Sequence, residues 1–185
     1  MITIPLRILL AEDHKTDAEL ISYHLGQLVE TLEIRVVDNL PQLNLELQNF
    51  VPDLVISDYN MPTCTGLDML KATKEFDANL PFIFITGTIE DEEMAANTIL
   101  AGASGFILKK NMHKLQEKLN PLLKRVVFNI SQQNVVRERV RKNKIVVNQI
   151  YQYLDSIKAE NEEQRENLKI IKENIDEIEL DKDDK

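Results

Sequence analysis

Residues 53–62 read DLVISDYNMP: a short apolar run, Asp53–Ser57, that stops at a carboxylate, Asp58. Four other runs have the same character: Arg7–Ala11 (RILLA), Leu32–Val37 (LEIRVV), Pro81–Thr86 (PFIFIT) and Gly105–Leu108 (GFIL). Runs this short and this apolar predict parallel strands covered on both faces. The segments between and after them, roughly 16–28, 40–48, 66–75, 90–101 and 112–126, carry apolar residues every three or four positions, the spacing of helices. Five βα units in succession predict an α/β fold, a doubly wound parallel sheet with helices on both faces.

Chemistry gathers where the strands end. Glu12 and Asp13 follow the first run, Asp58 follows the third, Thr86 closes the fourth and Lys109 follows the fifth. In an open α/β sheet the residues just past the C-terminal strand ends line the ligand crevice, so these groups are expected to converge. Carboxylates packed together repel unless they share a cation or a proton. Magnesium suits such a site, since it takes carboxylate, carbonyl and water oxygens and bridges carboxylates to phosphoryl groups. Asp13 and Asp58 are expected as direct ligands, with the Asn60 backbone carbonyl as another and Glu12 beside the ion, directly or through water. With its charge screened by the metal, the Asp58 carboxylate can attack phosphorus. Lys109 offers a point positive charge to the phosphoryl oxygens, and the Thr86 hydroxyl offers one hydrogen bond.

At this point the sequence resembles the receiver domain of two-component response regulators, over about residues 4–125. The resemblance rests on LLAEDH with Glu12 and Asp13, VISDYNMP with Asp58, FIFITGT with Thr86 and AGASGFILKK with Lys109, together with Pro62 and Gly66 after the Asp58 loop. It implies a flavodoxin-like five-stranded sheet in the order 2-1-3-4-5. It also implies phosphorylation of Asp58 from a phosphohistidine on a sensor histidine kinase or a histidine phosphotransfer protein, with Mg2+, followed by slow self-catalysed hydrolysis. The family's switch maps onto Thr86, which turns towards the phosphoryl group, and Phe106, which then moves inward. One position departs from the family: Lys110 stands where a proline usually follows the catalytic lysine. His14 reads as a solvated side chain at the start of the first helix, His24 and His113 lack zinc-ligand spacing, and Asp53 and Asp68 fall outside the cluster.

The 185-residue chain is long enough for one such domain plus an appendage. Its lone Cys64 excludes an internal disulfide framework and fits a reducing cytoplasm. No run of about 18 apolar residues suggests a membrane span, and the N-terminus lacks the cleavage site of a signal peptide. Residues 1–123 carry 9 Lys/Arg and 18 Asp/Glu, a balance that repels nucleic acid and draws cations, whereas 124–185 carry 13 of each.

Beyond residue 125 the pattern changes. Apolar residues recur three and four apart from Val136 through Val140, Val147, Ile150, Leu154, Ile157, Leu168 and Ile171 to Ile178, with Asn143, Asn161 and Gln164 as polar members. This predicts a helical coiled coil over 126–185, continuous in phase with the fifth helix of the 1–125 domain. Such a stripe needs a partner. A parallel homodimer is the preferred reading, with an antiparallel pair, a helix hairpin or a helical output protein as alternatives. Two other functions compete with phosphorylation-controlled signalling: a DNA-binding regulator reading through the basic segment 137–144, and an unphosphorylated dimerisation scaffold.

Overall fold

The computed structural model describes residues 1–87, 98–131, 134–157 and 162–183, without the side chains of 111–113, 131, 134–137, 162–163 and 176–183. Five parallel strands, β1 (Leu6–Ala11), β2 (Leu32–Val37), β3 (Leu54–Ser57), β4 (Phe82–Thr86) and β5 (Gly105–Leu108), form one sheet in the order β2-β1-β3-β4-β5. The intervening helices are α1 (Lys15–Gly26), α2 (Leu40–Phe50) and α3 (Gly66–Phe76). A 3-10 turn, Lys109–Lys114, leads from β5 into the helix Leu115–Ser131. The helix expected over 90–101, with its acidic run Asp91–Glu93, lies up to residue 97 outside the described residues, and 98–100 are helical.

Alternation along the strands builds two cores. Ile8, Leu10 and Ile56 point to a face covered by Ile21 and Leu25 of α1 and by Leu119 of the Leu115–Ser131 helix. Leu9, Ala11 and Val55 point to the other face, against Leu43 and Leu47 of α2 and Met69 of α3. The central strands β1, β3 and β4 are buried almost throughout, as expected of apolar runs covered on both faces. The edge strand β2 is not: of its six residues only Val37 is buried, and Glu33 and Val36 are exposed.

Local chemistry fixes the helix starts. The Asn39 side chain accepts a hydrogen bond from the Gln42 N–H at the start of α2, and Thr65 and Asp68 form a reciprocal capping box on α3. The Leu115–Ser131 helix holds Pro121 in its interior, which costs about 3 kcal/mol. Burial of Leu115, Leu119 and Leu123, each worth roughly 1.5–3 kcal/mol, outweighs that cost and docks the helix on the sheet.

The C-terminal part differs from one uninterrupted coil. The chain forms two compact units, Met1–Arg137 and Glu138–Lys185. In the second, the helix Asn134–Ser156 ends, Ile157 lies outside helical structure, and a new helix spans Glu162–Asp183. The Tyr151 hydroxyl donates to the Lys172 carbonyl oxygen at 3.1 Å, and the Lys172 ammonium pairs with Asp155. The second helix therefore lies beside the first, one of the alternatives to a parallel coil. The physical cause is visible in the sequence: residues 158–167, KAENEEQREN, offer no large apolar side chain to carry the stripe. Asn161 lies outside the described residues, and Gln164 is exposed. Among the described residues no helix is long and apolar enough to cross a membrane.

Gly66 opens α3 at a point where the backbone of the Asp58 loop passes close by. A Cβ there would lie 2.6 Å from the Phe84 ring, 2.7 Å from the Asp58 carbonyl oxygen and 2.8 Å from the Tyr59 Cα. Backbone cannot yield as a flexible side chain can, so Gly66→Ala is expected to destabilise the protein by about 1–3 kcal/mol. Urea unfolding should place its midpoint below that of the wild type at an unchanged slope; equal midpoints would contradict the close approach.

Candidate functional site

Strand register brings the candidate residues to one edge. Ala11 pairs with Ser57, so Glu12 and Asp58 leave β1 and β3 side by side, tied by the Asp58 N–H to the Ala11 carbonyl oxygen at 2.9 Å. Thr86 pairs with Leu108, which sets Lys109 one step beyond the end of β4. Asp53 sits at the other end of β3, where its carboxylate accepts the Arg7 N–H at 2.9 Å, and Asp68 is spent in the α3 cap. Both stay outside the cluster, as the sequence implies.

The cluster is organised by Lys109. Its ammonium lies 2.7 Å from Asp58 Oδ2, 2.8 Å from Glu12 Oε2 and 2.6 Å from Asp17 Oδ2. Burial works against the ammonium, but the hydrogen bonds to Asp17, Asp58 and Glu12 outweigh it and hold the Lys109 pKa well above the ordinary lysine value. Glu12 shifts the other way from a simple ion pair. Its burial raises the carboxyl pKa by more than the contacts with Lys109 lower it. Asp17 is the member that sequence reasoning missed. Its only advance sign was an acid in the first turn of α1, just after the Glu12–Asp13 pair.

Around this centre, Asp58 Oδ1 accepts the Asn60 N–H at 3.2 Å. Asp13 Oδ1 is buried without a hydrogen bond, and the His14 Nδ1 lies 3.1 Å from it. Ligand atoms of Glu12, Asp13 and His14 all lie within 4.8 Å of one another, a group able to hold a metal ion. The hard oxygen donors in that group fit a magnesium-like cation. His14 is both largely exposed, at 71% of its side chain, and adjacent to the acidic pair, so the solvated reading describes only half of its setting. His24 is not part of the cluster, and the His113 side chain lies outside the described residues.

The Thr86 hydroxyl is buried and lacks a hydrogen-bond partner. Such an orphan is expensive, about 1–3 kcal/mol. Phe106 is half-buried, its ring 6.3 Å from that of Phe84, and Phe84 in turn lies 5.8 Å from Tyr59. The described residues contain no cis peptide bond, so the Lys109–Lys110 bond is trans, and Lys110 is exposed rather than turned into the cluster.

The family model for the response regulator receiver domain matches residues 8–120, most of the chain and every residue of the Lys109 cluster. The chain belongs to the response regulator receiver family. Receiver domains accept phosphoryl groups from histidine kinases and histidine phosphotransfer proteins. This receiver is 28% identical to the chemotaxis protein CheY of Pseudomonas aeruginosa over 125 residues, 65% of this chain and 98% of CheY. It is 30% identical over 120 residues to the uncharacterized transcriptional regulatory protein YvcP of Bacillus subtilis, but that match takes in 64% of this chain and only 49% of YvcP. The chain thus spans about half the length of that regulator. Among solved structures, the non-phosphorylated HemR receiver domain of Leptospira biflexa superposes with a TM-score of 0.56 at 27% identity, covering 67% of this chain and 94% of that one.

The receiver's Glu12 supplies a pH test. A carboxyl whose pKa is raised by folding favours the folded state below its unfolded pKa and loses that contribution as pH rises through its folded pKa. In metal-free buffer, Glu12→Gln is expected to gain stability relative to wild type as pH rises from about 4 to 7. Urea unfolding across that range checks it; a difference that shrinks towards neutral pH would contradict the burial of an ionisable Glu12.

Proposed function

We propose that this receiver accepts a phosphoryl group on Asp58 from a phosphohistidine, with Mg2+ as cofactor, and passes the change to its C-terminal helices. The observation that carries the reading is the convergence of Asp58, Lys109, Glu12 and the unpartnered Thr86 hydroxyl at one sheet edge. An Asp58 carboxylate oxygen attacks phosphorus, the P–N bond to the donor imidazole breaks, and an acyl phosphate forms. Lys109 then holds a phosphoryl oxygen, and Thr86 donates its hydroxyl to another. When bound, Mg2+ supplies charge neutralisation and orients the phosphoryl oxygens. Asp13, Asp58, the Asn60 carbonyl and Glu12 are the proposed ligands, and His14 joins them as a neighbour of Asp13. Slow self-catalysed hydrolysis of the acyl phosphate would reset the site.

The proposed switch couples Thr86 to Phe106. A Thr86 hydroxyl drawn to the phosphoryl group leaves space behind it, and Phe106, now half-buried against Phe84, moves into that space. Two alternatives lose ground. A pseudo-receiver scaffold does not account for an intact Asp58, Thr86 and Lys109. A DNA reader in 137–144 is weakened because Arg141 is buried and pairs with Glu138.

For the output, we read residues 126–185 as an association segment following the 1–125 receiver. Val146, Ile150 and Tyr153 are 40–68% exposed and spaced four and three apart, one apolar stripe on the helix Asn134–Ser156. Leu154 is buried, so the stripe is separate from the residues turned inward. Pairing of two copies through this stripe is the preferred form of the homodimer, and a helical partner protein would use the same face.

Incubation with a small-molecule acyl phosphate and Mg2+ should add one phosphoryl group to the wild type by intact mass and none to Asp58→Asn. A wild type that stays unlabelled, or an Asp58→Asn variant that labels equally, would overturn the assignment. Sedimentation should give a dimer for the full chain and a monomer for Ile150→Glu/Tyr153→Glu, with labelling retained. A wild-type monomer under all conditions would remove the dimer.

A further inference from the structure

A lysine ammonium has three N–H donors and no acceptor. In this receiver three carboxylates meet Lys109, and they come from three parts of the chain: Glu12 after β1, Asp58 after β3 and Asp17 in the first turn of α1. Two of them, Glu12 and Asp58, are buried. Asp17 differs, since its side chain is 36% exposed and yet makes the shortest of the three contacts, 2.6 Å, across 92 residues of sequence. The Lys109 side chain it holds is only 13% exposed.

The demand on Lys109 changes when Asp58 reacts. The Asp58 oxygen that accepts from Lys109 becomes part of an acyl phosphate, and the ammonium has to transfer one N–H to a phosphoryl oxygen. A lysine is a flexible stem ending in a point charge, and the residue after it here is an exposed Lys110, which adds no rigidity. Anchors that do not react would keep the ammonium in place during the exchange, and of the two present, Glu12 and Asp17, Asp17 makes the shorter contact.

We propose that Asp17 is a positioning residue for phosphoryl transfer: it holds the Lys109 ammonium at the site while Lys109 exchanges Asp58 for the incoming phosphoryl group. The proposal rests on Asp58 as the acceptor. The Asp17 carboxylate meets the Lys109 ammonium, and its effect passes through that contact. Its removal lowers the rate of phosphorylation and leaves the acceptor itself intact.

The test uses the full chain with two readouts. The first is the Lys109 ammonium NMR signal in the unphosphorylated protein, assigned with Lys109→Arg. The second is the initial rate of labelling by a small-molecule acyl phosphate with Mg2+. Asp17→Asn is expected to shift and broaden the ammonium signal and to slow labelling about tenfold, and Asp17→Glu to recover part of both. In the Lys109→Arg background, Asp17→Asn should slow labelling by clearly less than tenfold, because coupled residues are not additive. An Asp17→Asn protein with the wild-type ammonium signal and rate would overturn the role. So would an equal slowing in both backgrounds, since that is the result of a purely structural effect. A wild type that takes no label would overturn the Asp58 reading and the catalytic part of this one, whereas the ammonium signal reports on the anchor in either case.

Discussion

One ammonium, on Lys109, stands among the carboxylates of Glu12, Asp17 and Asp58. Two of those carboxylates are almost fully buried, and a buried charge without a partner costs several kcal/mol. The edge of the sheet can therefore carry this much acid only because β5 delivers a cation to it. The same cation is a ready counter-charge for a phosphoryl group. Burial opposes the charge on Lys109, but its contacts with these acids hold its pKa above the ordinary lysine value.

The fold exists to set that contact. Parallel pairing of β1 with β3 ends both strands level, so Glu12 and Asp58 emerge together, and pairing of β4 with β5 brings Thr86 and Lys109 to the same edge. Apolar residues on both strand faces lock the register, since a slip of one residue would exchange the two cores. Gly66 lets α3 start within van der Waals reach of Phe84 and the Asp58 loop. The aromatic rings of Tyr59, Phe84 and Phe106 follow one another from that loop to β5.

Much of this is written in the sequence in a form that elementary rules can read. Short apolar runs marked the strands, and the residues that follow them marked the edge, because chain direction and parallel pairing leave few other places for Glu12, Asp58, Thr86 and Lys109. Asp17 was not legible: an acid in a first helical turn is ordinary, and only the three-dimensional reach of Lys109 gives it a partner. β2 departs from the expected cover on both faces because it is an edge strand, with only Val37 buried. The tail misled for a definite reason. A period of three and four identifies an apolar stripe, but it does not say whether the helix carrying it continues, and the polar residues 158–167 break the stripe where the chain leaves helical structure at Ile157.

The account turns on which atom carries the phosphoryl group. Acyl phosphates are reduced by borohydride at the modified carbon, whereas phosphoesters of serine and threonine are not, so reduction followed by peptide mass analysis locates the modified carboxyl. After treatment with an acyl phosphate and Mg2+, the account predicts a single reduced aspartate, Asp58. Reduction at Asp13 or Glu12, or a label that survives borohydride unchanged, would contradict it.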